Sequence, residues 1–221
     1  MKPKIIATED GSHSLFLENM DESYHSTHGA IQESNHVFIE AGFKQIEKNE
    51  FSVLEVGFGT GLNALLTRQH ALETEKCVRY FTLEKYPLGK NIWEKLNHGT
   101  TMGESAQQFY QAMHSAPWNQ WIDTDAHLHF YKAEVDWLTF DLSQVGSFDL
   151  VYFDAFAPGK QPEMWGADAF KRIYEQMNNN GILVTYCAKG QVRRDLQAAG
   201  FTVERIPGPP GKREMLRARK Q

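Results

Sequence analysis

The chain has 221 residues, of which 41% are hydrophobic and 23% charged, a balance that predicts one globular domain and excludes wholesale disorder. No apolar run approaches the roughly 18 residues that a membrane span needs, and the first twelve residues lack the apolar core of a signal peptide. The net charge is −5, and the two cysteines match neither a metal-ligand spacing nor a disulfide framework. We therefore expect a cytoplasmic protein with no membrane partner.

Residues 1–50 show no regular pattern, and the run 36–43 fits either a short strand or the start of a helix. We expect these residues to form an extension that packs on a main domain of residues 51–221. In that domain, apolar runs and spacings predict alternating elements. The predicted strands are 51–56, 78–84, 126–133, 148–156, 182–187, 201–206 and 213–219, and the predicted helices are 62–72, 87–121, 164–177 and 190–200.

Strands that alternate with helices predict a mostly parallel sheet covered on both faces. The last two strands are joined by a short turn around "PGPPGKRE", which predicts an antiparallel hairpin at the sheet edge. An α/β sandwich with this ending resembles the Rossmann-like S-adenosylmethionine-dependent methyltransferases.

The segment "EVGFGTG" (55–61) follows the first strand of this domain, where ligands of such sheets bind. Its G-x-G-x-G spacing differs from the G-x-G-x-x-G of dinucleotide enzymes and resembles the acid-x-G-x-G-x-G pattern of methyltransferases. We expect Gly57 and Gly59 to leave room for the cofactor, which Cβ atoms would strike, and Glu55 to face its methionine amine, directly or through water. The predicted cofactor site also includes Phe58, Gly61 and Asn63.

Two further acids follow the next two strands. Glu84 ends the second strand, 23 residues after Gly61, where an acid accepts hydrogen bonds from ribose hydroxyls. Lys85 follows it and joins the predicted cofactor site. Glu134 follows the third strand, where methyltransferases often use an acid to accept from the adenine amino group, although an exposed loop acid fits the same position.

The run "DLVYFDAFAPGKQPEMW" (149–165) carries the predicted chemistry. Asp154 follows a buried strand, and Pro158 and Pro162 prevent the sheet from continuing. An alkyl amine has a pKa of about 10 and must lose a proton before it can accept a methyl group, a task that suits a carboxylate. We predict catalytic roles for Asp154 and Phe156. The alternative for Asp154 is an acid that braces the loop.

The sequence resembles the methyltransferase half of the bifunctional MnmC enzymes in the runs "GFGTGLNAL", "LEKYPL", "FDAFAPGKQPEMW", "VRRDLQAAGF" and "GKREML". The resemblance spans residues 57–216. It implies methyl transfer from S-adenosylmethionine to the aminomethyl nitrogen of a tRNA wobble uridine, with Glu55, Gly57, Gly59 and Glu84 at the cofactor and Asp154 at the amine. Bifunctional members continue into a flavin-dependent oxidase, whereas this sequence stops at Gln221. We therefore expect neither FAD nor oxidase activity.

The basic residues are concentrated near the end of the chain. From residue 189 onward nine Lys and Arg stand against three Asp and Glu, a local charge of +6 that leaves −11 for the rest. Such an end could hold phosphates of an anticodon stem-loop, with the target base stacked on Phe156 or Trp165, although a solvated mixed-charge surface gives the same count. The predicted tRNA contacts are Lys189, Arg193, Arg194, Lys212 and Arg213.

Two alternative functions stay open at this point. A small-molecule amine methyltransferase or an aminopropyltransferase would share the sheet and an acid near residue 154. A non-catalytic protein that binds the cofactor and docks tRNA would also fit. The histidines at 25, 28, 127 and 129 show no metal-ligand spacing, so we predict no metal, and we expect a monomer.

Overall fold

The computed structural model describes residues 3–221. Its strands are β1 (Lys4–Ala7), β2 (His13–Leu17), β3 (Glu22–Ser23), β4 (Glu50–Val56), β5 (Cys77–Glu84), β6 (Trp121–Asp125), β7 (Leu128–Glu134), β8 (Phe148–Phe153), β9 (Met177–Thr185), β10 (Thr202–Pro207) and β11 (Glu214–Arg219). Its α-helices are α1 (Ala30–Ser34), α2 (Leu62–Glu73), α3 (Lys90–Trp93), α4 (His98–Thr101), α5 (Glu104–Ser115), α6 (Ala167–Glu175) and α7 (Gly190–Ala198). A π-helical turn at Asn35–Glu40 continues α1, so the run left open in the sequence is helical.

Eight strands form the central sheet in the order β10-β11-β9-β8-β4-β5-β7-β6. The five middle strands are parallel, whereas β11 pairs antiparallel with both β9 and β10, and β6 pairs antiparallel with β7. The predicted α/β fold with its antiparallel C-terminal hairpin is confirmed. The chain runs from β4 to β5 on one side and returns to β8 on the other, so the strand order reverses at β4, where open α/β sheets bind ligands.

Side chains of the sheet alternate between two cores. Phe51 and Val53 of β4 face a core shared with α2 and α5, and Leu54 and Val56 face the core beneath α6 and α7. All four side chains are buried, as expected for a parallel strand covered on both faces. This burial fixes the register of β4 and therefore the positions of the residues that follow it.

Two predicted elements were wrong in extent. The helix expected over 87–121 is three shorter helices followed by β6, whose sequence "WIDTD" is too polar to resemble a buried strand. The "NNNG" expected to end a helix lies inside β9, where the pairing with β8 shifts register. Asn178 donates to the Asp149 carboxylate at 2.8 Å, which holds this irregular part of the strand in place.

The N-terminal residues form a second, three-stranded sheet of β1, β2 and β3. Leu15 of β2, Ala30 of α1 and Val37 lie in the same buried cluster as Val53 and Leu65 of the main sheet and its helix. The division at residue 50 into an extension and a main domain stays a prediction. Among the helices of residues 3–221, none combines the length and apolar character required to cross a bilayer.

Candidate active site

A cavity of about 1080 Å³ opens at the carboxyl ends of β4, β5 and β8. Loop residues that follow these strands form one side, which we call the strand-end wall (56–60, 83–88 and 154–157). Residues 17, 19–20 and 22–28 together with Glu33 form another side, which we call the N-terminal wall. The volume lies just above the roughly 300–1,000 Å³ that is typical of small-molecule pockets.

The turn that leads into α2 contains three glycines, and both their backbone angles and the nearby protein atoms disfavour a Cβ there. The φ angles of Gly57, Gly59 and Gly61 are 97°, 51° and 75°, a region that favours glycine. A Cβ on Gly57 would lie 2.7 Å from the carbonyl oxygen of Asp154, and one on Gly59 would lie 3.2 Å from the Tyr24 ring. A Cβ on Gly61 would lie 2.8 Å from both Met113 Cε and His114 Nε2. Gly61 faces the core rather than the cavity, which corrects its assignment to the cofactor site.

Glu84 lines the cavity at the end of β5, as the sequence predicts. Its Oε2 accepts from the Gly59 backbone N–H at 3.0 Å and its Oε1 from the Tyr86 N–H at 2.7 Å. The carboxylate therefore joins the glycine turn to the loop after β5. Phe58 and Lys85 also line the cavity, and Lys85 Nζ lies 2.8 Å from an Asp136 carboxylate oxygen.

Glu134 is placed differently from the expectation. Its side chain is exposed and absent from the cavity lining, and its backbone N–H donates to Asn119 Oδ1 at 3.0 Å. Val135 and Asp136, which follow it, line the cavity instead. Asp136 is thus the acid after β7 that lines the cavity, two residues later than the sequence pattern indicated.

Glu55 is also placed differently. It is 0% exposed and lies beneath the strand-end wall, so no direct contact with a ligand in the cavity is open to it. Burial, with a smaller contribution from the nearby Asp154 carboxylate, raises the pKa of its carboxyl group to about 8, although Thr82 and Asn63 partly oppose the rise. The expectation that Glu55 faces the methionine amine does not fit this position.

Asp154 follows β8 and lines the cavity. Its backbone N–H donates to the Val56 carbonyl at 3.0 Å, and its Oδ2 accepts from Asn63 Nδ2 at 2.9 Å. Burial raises the pKa of this carboxyl group to about 7, against the lowering effect of the Asn63 hydrogen bond. Asp154 is therefore a partly buried carboxyl group that gains and loses its proton near neutral pH, as a general base requires.

The two aromatic candidates have different surroundings. Phe156 lines the cavity, and its ring meets the Tyr24 ring edge to face at 5.0 Å between centroids. Trp165 is 8% exposed, packs against Phe153 and Phe170, and donates from Nε1 to the Phe156 carbonyl at 2.8 Å. Trp165 is a core residue that holds the Phe156 loop, and the idea that a base stacks on it is wrong.

The N-terminal wall is the part of the site that sequence reasoning missed. Lys212 Nζ lies 2.6 Å from Oε1 of the buried Glu33 and 4.0 Å from the centroid of the Tyr186 ring. His36 Nε2 lies 2.9 Å from the Pro207 carbonyl oxygen, a second contact between the N-terminal part and the β10–β11 turn. Lys212 therefore belongs to the cavity wall and already has a carboxylate partner, and its contact with tRNA stays a prediction.

The four other predicted tRNA contacts lie towards the same edge of the sheet. Lys189 precedes α7 directly after β9, and Arg213 lies in the turn before β11, whose start faces the carboxyl end of β9. Within residues 3–221, none of the four has a carboxylate partner in an ion pair, whereas Arg205, Arg217 and Arg219 do. We call this set the basic edge (Lys189, Arg193, Arg194 and Arg213).

The residues at the strand-end wall fit S-adenosylmethionine. The turn with three positive φ angles, the Glu84 carboxylate at the end of β5 and Asp136 beyond β7 surround one end of the cavity. Carboxylates at these places can accept hydrogen bonds from ribose and adenine groups. In the described part of the chain, no three His, Cys, Asp or Glu side chains converge as metal ligands.

Comparisons with known proteins agree with this geometry. The sequence profile described as S-adenosyl-L-methionine-dependent methyltransferase matches residues 101–221. The proteins named tRNA 5-methylaminomethyl-2-thiouridine biosynthesis bifunctional protein MnmC from Marinomonas sp. and Leptospira interrogans are each 30% identical, over 96% and 90% of this chain. The chain spans about a third of their lengths, 33% and 32%.

The crystal structure of MnmC2 from Aquifex aeolicus aligns with a TM-score of 0.80 at 26% identity, over 98% of this chain and 69% of that one. Sheet order, cavity position and sequence profile thus agree on one kind of enzyme. The chain belongs to the S-adenosyl-L-methionine-dependent methyltransferase family, and within it the chain is similar to the MnmC proteins.

Proposed function

We propose that this enzyme transfers a methyl group from S-adenosylmethionine to the aminomethyl nitrogen of a wobble uridine in tRNA. The observation that carries the proposal is Asp154, which faces the cavity beside the cofactor residues and whose pKa is raised to about 7. The similarity to proteins named for 5-methylaminomethyl-2-thiouridine biosynthesis supports the choice of acceptor.

The raised pKa of Asp154 suits an amine acceptor. An alkyl amine with a pKa of about 10 exceeds an ordinary aspartate by about six pK units, whereas it exceeds Asp154 by about three. Proton transfer from the ammonium to Asp154 is therefore far less unfavourable than transfer to an exposed aspartate. S-adenosylmethionine, when bound, supplies a methyl group that is already electrophilic. Asp154 then has to remove the proton and keep the nitrogen lone pair directed into the cavity.

The other walls assist this step. Phe156 and Tyr24 present rings to the cavity and exclude water from the reacting nitrogen. In this proposal Glu84 and the glycine turn hold the cofactor end, and the rest of the cavity takes the nucleoside. The basic edge supplies unpaired positive charge for RNA phosphates, and we propose the anticodon stem-loop as the part of tRNA that it contacts.

The test is nucleoside mass analysis of tRNA from cells that lack the protein. We expect aminomethyl-uridine to accumulate, and wild-type protein and Asp168→Ala, a change at an exposed residue of α6, to restore its methylation. Asp154→Ala should fail to restore it. Full restoration by Asp154→Ala would favour a non-catalytic protein.

A second assay separates the competing acceptors. Purified enzyme with S-adenosylmethionine should methylate the tRNA isolated from the deleted strain and leave free alkyl diamines unmodified. Methylation of a diamine without reaction on tRNA would favour a small-molecule amine methyltransferase and would contradict the proposal. Transfer of an aminopropyl group instead of a methyl group would also contradict the proposal.

A further inference from the structure

A group of buried polar side chains lies at the strand ends, and we call it the polar cluster (Glu55, Asn63, Tyr80 and Thr82). Asn63 lines the cavity, whereas the other three lie beneath the strand-end wall. Glu55, Tyr80 and Thr82 are 0% exposed and Asn63 is 3% exposed. Both Glu55 carboxyl oxygens, the Tyr80 and Thr82 hydroxyl oxygens and Asn63 Oδ1 lack hydrogen-bond partners among the described residues. Five orphaned oxygens in one cluster require an explanation, because buried polar atoms are nearly always paired.

The surroundings of Glu55 favour its neutral form. Within residues 3–221, no lysine, arginine or histidine pairs with it, and the charged group that faces it is the Asp154 carboxylate, a like charge. The other titratable groups around it are the hydroxyls of Tyr80 on β5 and Tyr152 on β8. Burial without a counter-ion disfavours a carboxylate, so Glu55 carries a proton at neutral pH.

We propose that Glu55 is a neutral carboxylic acid that positions Asp154 through Asn63, and not a carboxylate that contacts the cofactor. Asn63 Nδ2 donates to Asp154 Oδ2 at 2.9 Å, which leaves Asn63 Oδ1 as an acceptor on the other side of the amide. The Glu55 O–H is the donor that matches this acceptor.

The same arrangement gives hydrogen-bond partners to the other unpaired oxygens of the polar cluster. The Tyr80 and Thr82 hydroxyls donate to the Glu55 carboxyl oxygens, and three hydrogen bonds then satisfy all five atoms. An ionised Glu55 would present only acceptors to Asn63 Oδ1 and would leave that oxygen unpaired. Protonated Glu55 therefore fixes which way the Asn63 amide points, and the amide in turn fixes the Asp154 carboxylate.

Glu55→Gln separates the two roles. The Gln amide can donate to Asn63 Oδ1 and accept from the Tyr80 hydroxyl, so we expect the Kd for S-adenosylhomocysteine and the turnover number to stay within about threefold of wild type. A Kd weakened about tenfold or more would assign Glu55 a carboxylate role at the cofactor and would overturn the proposal. Glu50→Gln removes an exposed acid from the same strand and serves as the matched control.

Glu55→Leu replaces the carboxyl group with an apolar side chain of similar size and so removes the O–H donor to Asn63 Oδ1. We expect kcat to fall about tenfold or more with little change in the Kd for S-adenosylhomocysteine, because Asp154 loses its fixed orientation. Equal turnover in Glu55→Leu and Glu55→Gln would show that the hydrogen bond does not position Asp154. These turnover assays rest on the proposed role of Asp154, whereas the binding measurements need no acceptor.

Stability against pH gives a readout independent of any reaction. The folded protein keeps the Glu55 proton up to a pKa of about 8, whereas an unfolded glutamate releases it near 4.5. The stabilisation linked to this proton is complete below the unfolded pKa and is lost as pH rises towards about 8. Glu55→Gln should therefore gain melting temperature relative to wild type between about pH 5 and pH 8. A constant difference across this range would contradict the proposal even if the tRNA substrate proved correct.

Discussion

The two walls of the cavity differ in how the chain builds them. The strand-end wall consists of residues that end strands or follow them directly, such as Glu84 at the end of β5 and Gly57 and Asp154 after β4 and β8. The N-terminal wall depends on contacts between distant residues, and its ion pair joins Glu33 to Lys212 across 179 positions. The comparison indicates that the strand-end wall is specified mainly by local sequence pattern and the N-terminal wall by tertiary packing.

The largest effect is expected on the strand-end wall. Asp154→Ala should lower kcat at least about 100-fold while the Kd for S-adenosylhomocysteine stays nearly unchanged, because the carboxylate acts on the acceptor amine. Steady-state kinetics and calorimetry test the two values, with Asp168→Ala as control. Loss of cofactor binding together with turnover would assign Asp154 to the cofactor site and would contradict its proposed role at the amine.

The pH dependence sharpens the same assignment. With a pKa of about 7, Asp154 is increasingly ionised as pH rises, so kcat should increase through about pH 7 and then level off. A pH–rate profile of wild type and of Asp154→Asn tests this, since the residual activity of the variant should not rise through pH 7. A rise of kcat through pH 7 that persists in Asp154→Asn would assign the titration to another group.

The next effect concerns the N-terminal wall. Lys212→Met leaves the buried Glu33 carboxylate without its partner, and we expect a loss of about 2 kcal/mol in unfolding free energy. Lys4→Met breaks an exposed pair with Glu18 and should change the unfolding free energy much less, because solvent screens that pair. Urea denaturation measures both. Equal losses would mean that the Lys212 pair behaves as an ordinary surface contact.

A smaller effect should couple the two walls. Tyr24 belongs to the N-terminal wall and Phe156 to the strand-end wall, and their rings meet edge to face. A double-mutant cycle of Tyr24→Ala and Phe156→Ala should give an interaction free energy of about 1 kcal/mol in stability. Additive single effects would show that the walls do not support each other through this contact.

The smallest effect is expected on the basic edge. Arg213→Ala should weaken tRNA binding and reduce the slope of log K against log salt concentration by about 1, the amount expected for one phosphate contact. Arg217→Ala, which removes an arginine already paired with Glu204, should leave the slope unchanged. Binding isotherms at several salt concentrations test both. A slope that falls only in Arg217→Ala would contradict the assignment of the basic edge.

The sequence predicts the main sheet and the strand-end wall because both follow from short-range patterns. Apolar runs mark β4, β5 and β8, and glycines at 57 and 59 mark the turn whatever their neighbours are. The structure adds a reason for those glycines that the sequence could not supply, because the Asp154 backbone and the Tyr24 ring that crowd them are remote in sequence.

The missed features depend on three-dimensional placement. The alternation of β4 predicts that Glu55 shares a face with Phe51 and Val53, but its depth depends on Asn63, Thr82 and the rest of that core. Asp136 rather than Glu134 lines the cavity because the chain leaves β7 before it turns inward. Residues 3–28 give no signal, since their strands are two to five residues long.

The link between Glu33 and Lys212 has a consequence for synthesis on the ribosome. A growing chain can form β4, α2 and β5 early, but it cannot complete the second side of its reaction chamber until residue 212 has emerged. Until then the Glu33 carboxylate lacks its lysine partner, and the apolar surface beside it is only partly packed. The second side of the cavity is therefore complete only when both distant segments of the polypeptide are present together.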